Sequence, residues 1–435
     1  MTVDQDEVDR IFRPETYAAG VPYELFRALR AERAVWWVRE PAVGAWAAGP
    51  GYWAVVRHAE VKHVLRTPEV FSSHLGATQI RDPDSAADLE FARTMMLNQD
   101  PPEHARLRRI MAAAFTPRAL RELSAAIEAC ARELVDSARD VGQADFVRLA
   151  ADLPVRVLAR VLGVPEQDRQ LLVDWSNRVI GYQDADLADS DTVDPARLTE
   201  LGRAALAVRP TTRTTPDGRP INPRSRAALA DMFAYAHGLA VGPRPGSLMA
   251  RMREGGLSTE EFETAFFLFA VAGNETVRNG LPGGLHTLLR HPDQHRLLLR
   301  QPELLDSAVE EMLRYWPPVI EFRRTATRDV ELGAVQIRRG QKVVVYHASA
   351  NRDEAVFADP DRFDLTRTPN DHVSFGFGPH FCLGAQLARM QYKAMTGAVL
   401  ELPGLALASA APPARLVSNF QNGLKELPVR WRTGS

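Results

Sequence analysis

The chain contains little cysteine: Cys130 and Cys382 are its only two in 435 residues. Two cysteines cannot build a disulfide framework, a zinc cluster or an iron–sulfur cluster. Lysine is scarce as well, and most cations are arginines scattered among Asp and Glu. Because the net charge is only -2, bulk electrostatics favour neither nucleic acid nor an anionic membrane as a partner.

Long apolar runs are also missing. No stretch approaches the roughly 18 apolar residues that are needed to span a bilayer. The first residues, Met1 to Glu7, are acidic and lack the basic and then apolar pattern of a secretory signal. We therefore expect a soluble, cytoplasmic protein without a membrane span.

The composition predicts one large folding unit. Hydrophobic residues make up 45% of the chain, enough for a large core, and no break in composition divides it. We predict an N-terminal tail over residues 1–20 and a single mainly α domain with small β-sheets over residues 21–435. Helices are predicted over 22–31, 117–138, 145–162 and 165–179, an antiparallel hairpin over 34–38 and 52–56, and a long loop over 72–100. Helical periodicity fails at about 181–225, where a polar stretch over 210–220 indicates an insertion.

Residues 375–384, Phe-Gly-Phe-Gly-Pro-His-Phe-Cys-Leu-Gly, are the most informative stretch. Three glycines and a proline in ten residues exclude the interior of a helix or strand, so the stretch is a shaped loop. A helical run follows, which places Cys382 at a helix N-terminus, where the thiolate is favoured. A thiolate held in such a loop suits a metal that brings its other ligands with it, as haem iron does. A buried structural cysteine is the alternative, and burial preferences favour that alternative for a lone cysteine.

The loop resembles the haem-binding loop of the cytochrome P-450 family, Phe-Gly-x-Gly-x-His-x-Cys-x-Gly, at every fixed position. The resemblance implies the cytochrome P-450 fold, with haem b between a long central helix and the helix that follows the Cys loop. It implies Cys382 as the axial iron ligand and places Phe375 and His380 against the haem. It also implies that the insertion at 181–225 lies in the lid over the substrate.

Other positively charged residues match the family's propionate-binding positions. Asp100, Pro101 and Glu103 predict a helix start, and His104 and Arg108 follow on one face of that helix because they are four residues apart. A pair of this kind is usually exposed to solvent, but in the family it binds a haem propionate. Arg324 matches the second propionate-binding arginine, with Arg323 as the alternative.

A capping box at Ser258 to Glu261 opens a long apolar helix. Gly273 lies in its middle, where glycine costs about 1 kcal/mol relative to alanine. A packing glycine explains this as well as a ligand contact does, but the segment 272–276 resembles the family's Ala-Gly-x-Asp/Glu-Thr oxygen-binding groove. Glu275 and Thr276 are therefore predicted to relay protons by general-acid transfer. Pro282 is expected to kink the helix near Arg278.

Glu311 and Arg314 form a Glu-x-x-Arg motif, which is weak in isolation because i, i+3 pairs are common. In the family the pair is buried, and its third member is an arginine before a phenylalanine, which Arg362 matches. This network is predicted to be structural and to fix the backbone beneath the haem.

The resemblance implies a monooxygenase that inserts one oxygen atom from O2 into a C–H bond of a bulky hydrophobic substrate. Electrons would come from a separate ferredoxin system, since no flavin- or nicotinamide-binding stretch is present, and a monomer is expected. A haem-binding module without turnover and peroxide-driven or oxidative-coupling chemistry are the alternatives.

The substrate class is predicted from a finer resemblance. Residues 414–428 and 270–279 resemble those of bacterial members that act on steroids and branched lipids, so we expect a terpenoid, steroid-like or branched-lipid substrate. A polyketide or peptide metabolite is the runner-up. The residues predicted to line the pocket are apolar: Phe266, Phe269, Val319, Ile320, Phe322 and Phe420.

Overall fold

The computed structural model describes residues 3–43, 47–180, 184, 193–212, 214 and 221–433, and these are mainly helical. The helices span Gln5–Asp9, Pro14–Ala18, Tyr23–Glu32, His58–Arg66, Ala86–Arg93, Glu103–Ala112, Pro117–Arg139, Phe146–Leu162, Arg169–Ile180, Glu200–Ala207, Ala230–Val241, Leu248–Glu254, Thr259–Arg290, Pro292–Arg300, Leu305–Tyr315, His347–Ala350 and Ala385–Leu400. Within the described ranges, no helix combines the length and apolarity that a bilayer crossing requires.

The strands form three small sheets. They are β1 (Val35–Val38), β2 (Tyr52–Val55), β3 (Phe71–Ser72), β4 (Gln143–Asp145), β5 (Glu321–Ala326), β6 (Val330–Leu332), β7 (Val335–Ile337), β8 (Lys342–Tyr346), β9 (Ala406–Leu407) and β10 (Pro428–Arg430). The largest sheet has the order β1-β2-β8-β5-β3, the second β4-β10-β9, and the third β6-β7. The predicted hairpin is confirmed, since β1 pairs antiparallel with β2 and Val35 opposes Val55.

The longest helix, Thr259–Arg290, is here called the central helix. Its predicted capping box is present, because the Ser258 side chain accepts from the amide of Glu261 and the Glu261 side chain accepts from the amide of Ser258. Pro282 does not end the helix, which continues to Arg290. A Cβ on Gly283 would overlap the Trp316 ring, so that glycine permits close packing against Trp316.

The N-terminal segment is not a tail, and that prediction was wrong. Residues 5–9 and 14–18 are helical, and Val8, Ile11 and Phe12 are buried in a core shared with β2 and β8. Their apolar spacing was sufficient to bury one face of the segment, so the folded unit begins before residue 21.

The loop predicted over 72–100 contains the helix Ala86–Arg93, which Ser85 caps by accepting from the amide of Asp88. The next helix starts at Glu103 without a side-chain cap. Asp100 does not cap it, because its carboxylate accepts from the amide of Ser73 (2.8 Å). A short carboxylate such as that of Asp100 can accept a hydrogen bond from any of several backbone amides. The sequence did not show which amide would donate to Asp100.

The insertion predicted over 181–225 is described only in part, since 181–183, 185–192, 213 and 215–220 lie outside the described residues. Most of the predicted polar loop at 210–220 therefore lies outside them too. The described part contains the helix Glu200–Ala207, where helical periodicity had not been recognised. Thr199 caps this helix by accepting from the amide of Gly202 (3.1 Å).

Candidate active site

The Cys loop has the shape that its glycines predict. Gly376 and Gly378 have φ values of 72° and 71°, and a Cβ on Gly378 would lie 2.7 Å from the carbonyl oxygen of Leu65. The amide of Cys382 donates to the carbonyl of Phe375 (2.8 Å), which closes the loop. Cys382 and Phe375 line a cavity between this loop and the central helix, here called the inner cavity.

Cys382 is exposed to the inner cavity but otherwise enclosed by protein. Burial raises the pKa of its thiol, while the amide of Gly384 and the charges of Arg108 and Arg389 lower it. The Gly384 amide at the helix N-terminus thus favours the thiolate as predicted, but the burial effect on the pKa is larger. Coordination to a metal ion deprotonates a thiol outright.

Four nitrogen-bearing side chains meet in the inner cavity as the sequence predicted: His104, Arg108, Arg324 and His380. The rings of His104 and His380 lie 4.0 Å apart between centroids. Burial, followed by the nearby positive charges, lowers the pKa of His104 to about 4 and that of His380 to about 2. Arg108 and Arg324 are the nearby positive charges that lower the pKa values of both histidines.

No carboxylate among the described residues accepts a hydrogen bond from Arg324, whose pKa burial lowers to about 10. His104 Nε2 is buried and has no partner. Buried cations and orphaned donors of this kind are costly unless an anion compensates them. The residues present therefore fit a haem, whose propionates are anionic and whose iron would face Cys382. Arg323 is not the propionate candidate, because it pairs with Asp82 (2.6 Å) on the other face of β5.

The two residues of the predicted proton relay differ in their access to the cavity. Thr276 lines the inner cavity, and its hydroxyl donates to the carbonyl of Ala272 (2.9 Å). Glu275 is buried and does not line it. Its carboxylate accepts from Ser176 (3.1 Å), Arg278 (2.9 Å) and Asn279 (3.4 Å).

Gly273 also lines the inner cavity, and a Cβ there would lie 3.1 Å from Cδ1 of Leu158. The glycine thus serves packing against a neighbouring helix as well as access to the cavity. The packing interpretation is supported by the Leu158 contact, and the ligand contact stays a prediction.

The Glu-x-x-Arg pair is buried as predicted, and Arg314 binds both carboxylate oxygens of Glu311 at 2.7 and 2.8 Å. The third member is not Arg362, and that prediction was wrong. The Arg362 side chain is 65% exposed, and only its carbonyl takes part by accepting from Arg314. Arg367, whose side chain is 9% exposed, lies 3.2 Å from Glu311 instead.

Comparison with known proteins agrees with this geometry. Residues 247–402 match the family model for cytochrome P-450. The chain is 36% identical over 429 residues to a steroid C26-monooxygenase of Rhodococcus jostii, covering 97% of this chain and 84% of the relative. It is 35% identical over 413 residues to a methyl-branched lipid omega-hydroxylase of Mycobacterium bovis, covering 93% and 90%. The chain belongs to the cytochrome P-450 family.

A solved structure extends the comparison to tailoring enzymes. The cytochrome P-450 superposes with a TM-score of 0.70 on a post-tailoring hydroxylase (HmtN) involved in himastatin biosynthesis, at 29% identity, covering 88% of this chain and 91% of that one. The relatives and the family model show that this cytochrome P-450 is a monooxygenase with a haem-iron cofactor. It uses O2, a hydrophobic substrate and an electron-transfer partner.

A second, outer cavity adjoins the inner one in this cytochrome P-450. The two share an apolar set that surrounds Thr276: Leu97, Leu268, Ala272, Val319 and Phe322. Phe420 lines the outer cavity and Phe269 the inner one. Four of the six predicted pocket residues, Val319, Phe322, Phe269 and Phe420, therefore lie where they were expected.

Phe266 and Ile320 do not line either cavity, and those two predictions were wrong. Phe266 packs edge-on against Trp175, 6.0 Å between ring centroids, on another side of the central helix. Ile320 belongs to the N-terminal core with Phe26. The central helix is apolar on several sides, so periodicity could not identify the cavity side.

The sequence interpretation missed lining residues outside the recognised motifs. Leu97 lies in a short helical turn inside the predicted loop, and Val271 lies on the central helix. The outer cavity also has charged lining residues that it does not share with the inner cavity, among them Arg81, Asp82 and Arg224. No regular pattern in the sequence brings these residues together.

Proposed function

We propose that this cytochrome P-450 hydroxylates a bulky hydrophobic substrate of the terpenoid, steroid-like or branched-lipid class. The observation that carries the proposal is the apolar set around Thr276, which lines both cavities. Such a surface suits a large ligand with few polar anchors. The two relatives, a steroid C26-monooxygenase and a methyl-branched lipid omega-hydroxylase, are named for substrates of this class and so support the proposal.

The cofactor in this proposal is haem b, whose iron would be bound by the Cys382 thiolate. His104, Arg108, Arg324 and His380 would hold the propionates, which supply the negative charge that this cluster lacks. Phe375 and Gly273 would flank the ring, since both line the inner cavity. When bound through a thiolate, haem supplies the redox chemistry that cleaves dioxygen.

Glu275 and Thr276 are the proposed proton-handling pair. The Thr276 hydroxyl faces the inner cavity and is placed to orient water there. The carboxylate of Glu275 does not line the inner cavity, and it accepts hydrogen bonds from Arg278 and Asn279. Asn279 also donates to Gln421 (3.3 Å), which lines the outer cavity, so the acid has a hydrogen-bonded connection to the substrate side.

The cavity polarity supports one orientation of the substrate. An apolar end would lie beside Thr276 and a polar end would lie near Arg81 and Arg224. Hydroxylation would then occur at the apolar end, far from the polar group.

Titration of the ferric protein with panels of steroids, terpenoids, branched lipids, macrolides and peptides tests the class. Displacement of the iron-bound water appears as a spin-state shift, and we expect micromolar shifts with one of the first three panels. Shifts with macrolides or peptides alone would contradict the proposal. Products of a binding compound, analysed by mass spectrometry, would then test whether oxygen is added at the apolar end.

The second candidate is a tailoring oxidase of a polyketide or peptide metabolite, including oxidative coupling. The similarity to the himastatin hydroxylase favours it, as do the charged residues Arg81 and Asp82 that line the outer cavity. Turnover distinguishes the two reactions, because coupling joins two rings or chains without adding oxygen to the product.

A ferredoxin-type electron donor, a monomeric state and a cytoplasmic location stay predictions. Product formation with a ferredoxin and its reductase, compared with hydrogen peroxide alone, tests the first. Light scattering during size-exclusion chromatography tests the second. Cell fractionation tests the third.

A further inference from the structure

The residues that follow the undescribed stretch 215–220 form one wall of the outer cavity. Asn222, Pro223 and Arg224 all line it. They belong to a compact turn over residues 222–229, here called the wall turn. Its amides at Arg224 and Ser225 donate to the side chain and the carbonyl of Asn222, at 2.9 and 3.0 Å.

The wall turn is attached to the central helix by one buried carboxylate. Arg226 donates from Nε and Nη2 to the two oxygens of Glu263, at 2.8 and 2.9 Å. Nε2 of His237, on the helix that follows the wall turn, lies 3.0 Å from Oε1 of the same carboxylate. We call Arg226, His237 and Glu263 the wall anchor.

Glu263 is placed to set the width of the cavity. Phe267 and Val271 follow it on the same side of the central helix, at i+4 and i+8, and both line the outer cavity. The anchor therefore joins the wall that carries Pro223 to the wall that carries Phe267 and Val271. A forked arginine–carboxylate pair fixes direction as well as distance.

The carboxylate is held in its ionised form. Glu263 is 4% exposed, and burial by itself would raise its pKa. The hydrogen bonds from Arg226 and His237 outweigh that effect and lower the pKa below its usual value. Removing Arg226 would leave a buried carboxylate with His237 as its remaining hydrogen-bond partner, and the wall turn would lose this attachment.

We propose that the wall anchor is a positioning site for the substrate, which sets how tightly the far end of a long ligand is held without touching the iron or the reacting atoms. The inference rests on the proposed function, in which an extended hydrophobic substrate runs from Thr276 into the outer cavity. Short ligands that stay near Cys382 do not reach the wall turn, so their affinity is independent of the anchor.

N-alkylimidazoles of increasing chain length are the probe, since the imidazole nitrogen binds ferric haem and the alkyl chain extends into the cavities. Affinity is read from the shift of the haem absorption band, so no turnover is required. In the wild type, we expect the dissociation constant to fall as the chain lengthens from methyl to dodecyl. In Glu263→Gln, imidazole and N-methylimidazole bind as in the wild type, while the dodecyl compound binds about tenfold more weakly, about 1.4 kcal/mol.

The control is Glu354→Gln. Glu354 receives the same forked arrangement from Arg30, at 3.0 and 2.9 Å, but neither residue lines a cavity that joins the haem site. This variant keeps the wild-type dependence on chain length. Arg226→Lys retains the positive charge without the forked hydrogen bonds. Its affinity for the dodecyl compound is expected to fall between those of the wild type and Arg226→Gln. The double variant Arg226→Gln/Glu263→Gln is expected to bind the dodecyl compound no more weakly than the weaker-binding single variant does. The reason is that both substitutions remove the same interaction.

Equal weakening of short and long imidazoles in Glu263→Gln would overturn the inference, because it would indicate a general loss of structure. Unchanged binding of the dodecyl compound would overturn it as well. If Glu263→Gln does not retain haem, Arg226→Lys decides, since it keeps both charges in place. Failure of the steroid, terpenoid and lipid panels would contradict the proposed substrate class alone, because the imidazole series depends only on a long ligand in the cavity.

Discussion

Nε of Arg367 lies 3.2 Å from Oε2 of Glu311, in a buried network that also holds Arg314. Arg367 donates as well to the carbonyls of Ala358 (2.8 Å) and Arg362 (2.9 Å). These bonds fix the irregular stretch that leads into the Cys loop. Arg362, five residues earlier, contributes its backbone to the network, and its side chain is directed towards solvent.

Replacing Arg367 with Gln is therefore expected to destabilise the fold and the haem site. The change leaves the buried Glu311 with one fewer positively charged partner, which costs about 1–3 kcal/mol. Arg362→Gln alters an exposed side chain and should stay within about 0.5 kcal/mol of the wild type. Urea unfolding and the retained haem fraction measure both variants. A larger loss in Arg362→Gln than in Arg367→Gln would restore the original assignment.

Local motifs were predictable because their spacing is fixed by the backbone. His104 and Arg108 share a helix face at any i, i+4 spacing, and the glycines around Cys382 permit only a shaped loop. Contacts across the fold were less predictable. Arg362 and Arg367 both precede the Cys loop, and the sequence alone did not determine which of them is directed towards Glu311.

The cavity lining shows the same limit. On β5 the alternation of a strand separates Phe322 and Arg324, which line the inner cavity, from Arg323, which faces Asp82. Ile320 lies just before that strand, where strand alternation does not apply. Its hydrophobicity predicts that the side chain is buried but does not predict in which core. Leu97 was missed for the same reason, because it lies in a turn without periodicity.

Cys382→Ser is expected to abolish the red-shifted absorption of the reduced carbon monoxide complex that gives the family its name. The thiol faces the inner cavity as the candidate iron ligand, and serine supplies no thiolate. Difference spectra of the wild type and the variant measure this. Cys130→Ser is the control and should keep the wild-type band, since Cys130 lies in the helix Pro117–Arg139, away from the inner cavity. A wild-type spectrum like that of a histidine-ligated globin would contradict the assignment.

Thr276→Ala and Glu275→Gln are expected to keep haem but to divert electrons into peroxide or water. Thr276→Ala removes the hydroxyl that faces the inner cavity. Glu275→Gln removes the carboxylic acid that three hydrogen bonds hold in place outside the inner cavity. The measurement is the ratio of product formed to reduced cofactor consumed. Thr276→Ser restores the hydroxyl and should recover most of the coupling. Unchanged ratios in both variants would mean that protons reach the site elsewhere.

Phe322→Ala and Ile320→Val are expected to separate binding from stability. Phe322 lines both cavities, so its loss should weaken a bulky hydrophobic ligand by about tenfold, consistent with an apolar contact of 1–2 kcal/mol. Ile320 is fully buried in the N-terminal core, and removing one methyl should cost about 1 kcal/mol of stability without a change in ligand affinity. Spin-state titration and urea unfolding measure the two quantities. A ligand-affinity change in Ile320→Val comparable to that of Phe322→Ala would contradict the assignment.

Glu310 is expected to give the fold a pH-dependent stabilisation. Arg389, on the helix that follows the Cys loop, binds it at 2.6 and 2.8 Å, and His372 lies 3.2 Å away. Burial would raise the pKa of Glu310, but these partners lower it from 4.5 to about 2. Since the unfolded chain binds the proton more tightly, the stabilisation is complete above about pH 4.5 and is lost as the pH falls towards 2.

The free energy of unfolding of Glu310→Gln, measured with urea at pH 7, should therefore lie about 2 kcal/mol below that of the wild type. This difference should narrow steadily below pH 4.5. Glu303→Gln, which removes an exposed acid, should match the wild type throughout. A gap between Glu310→Gln and the wild type that stays constant down to pH 3 would show that packing, and not the charge, accounts for the loss.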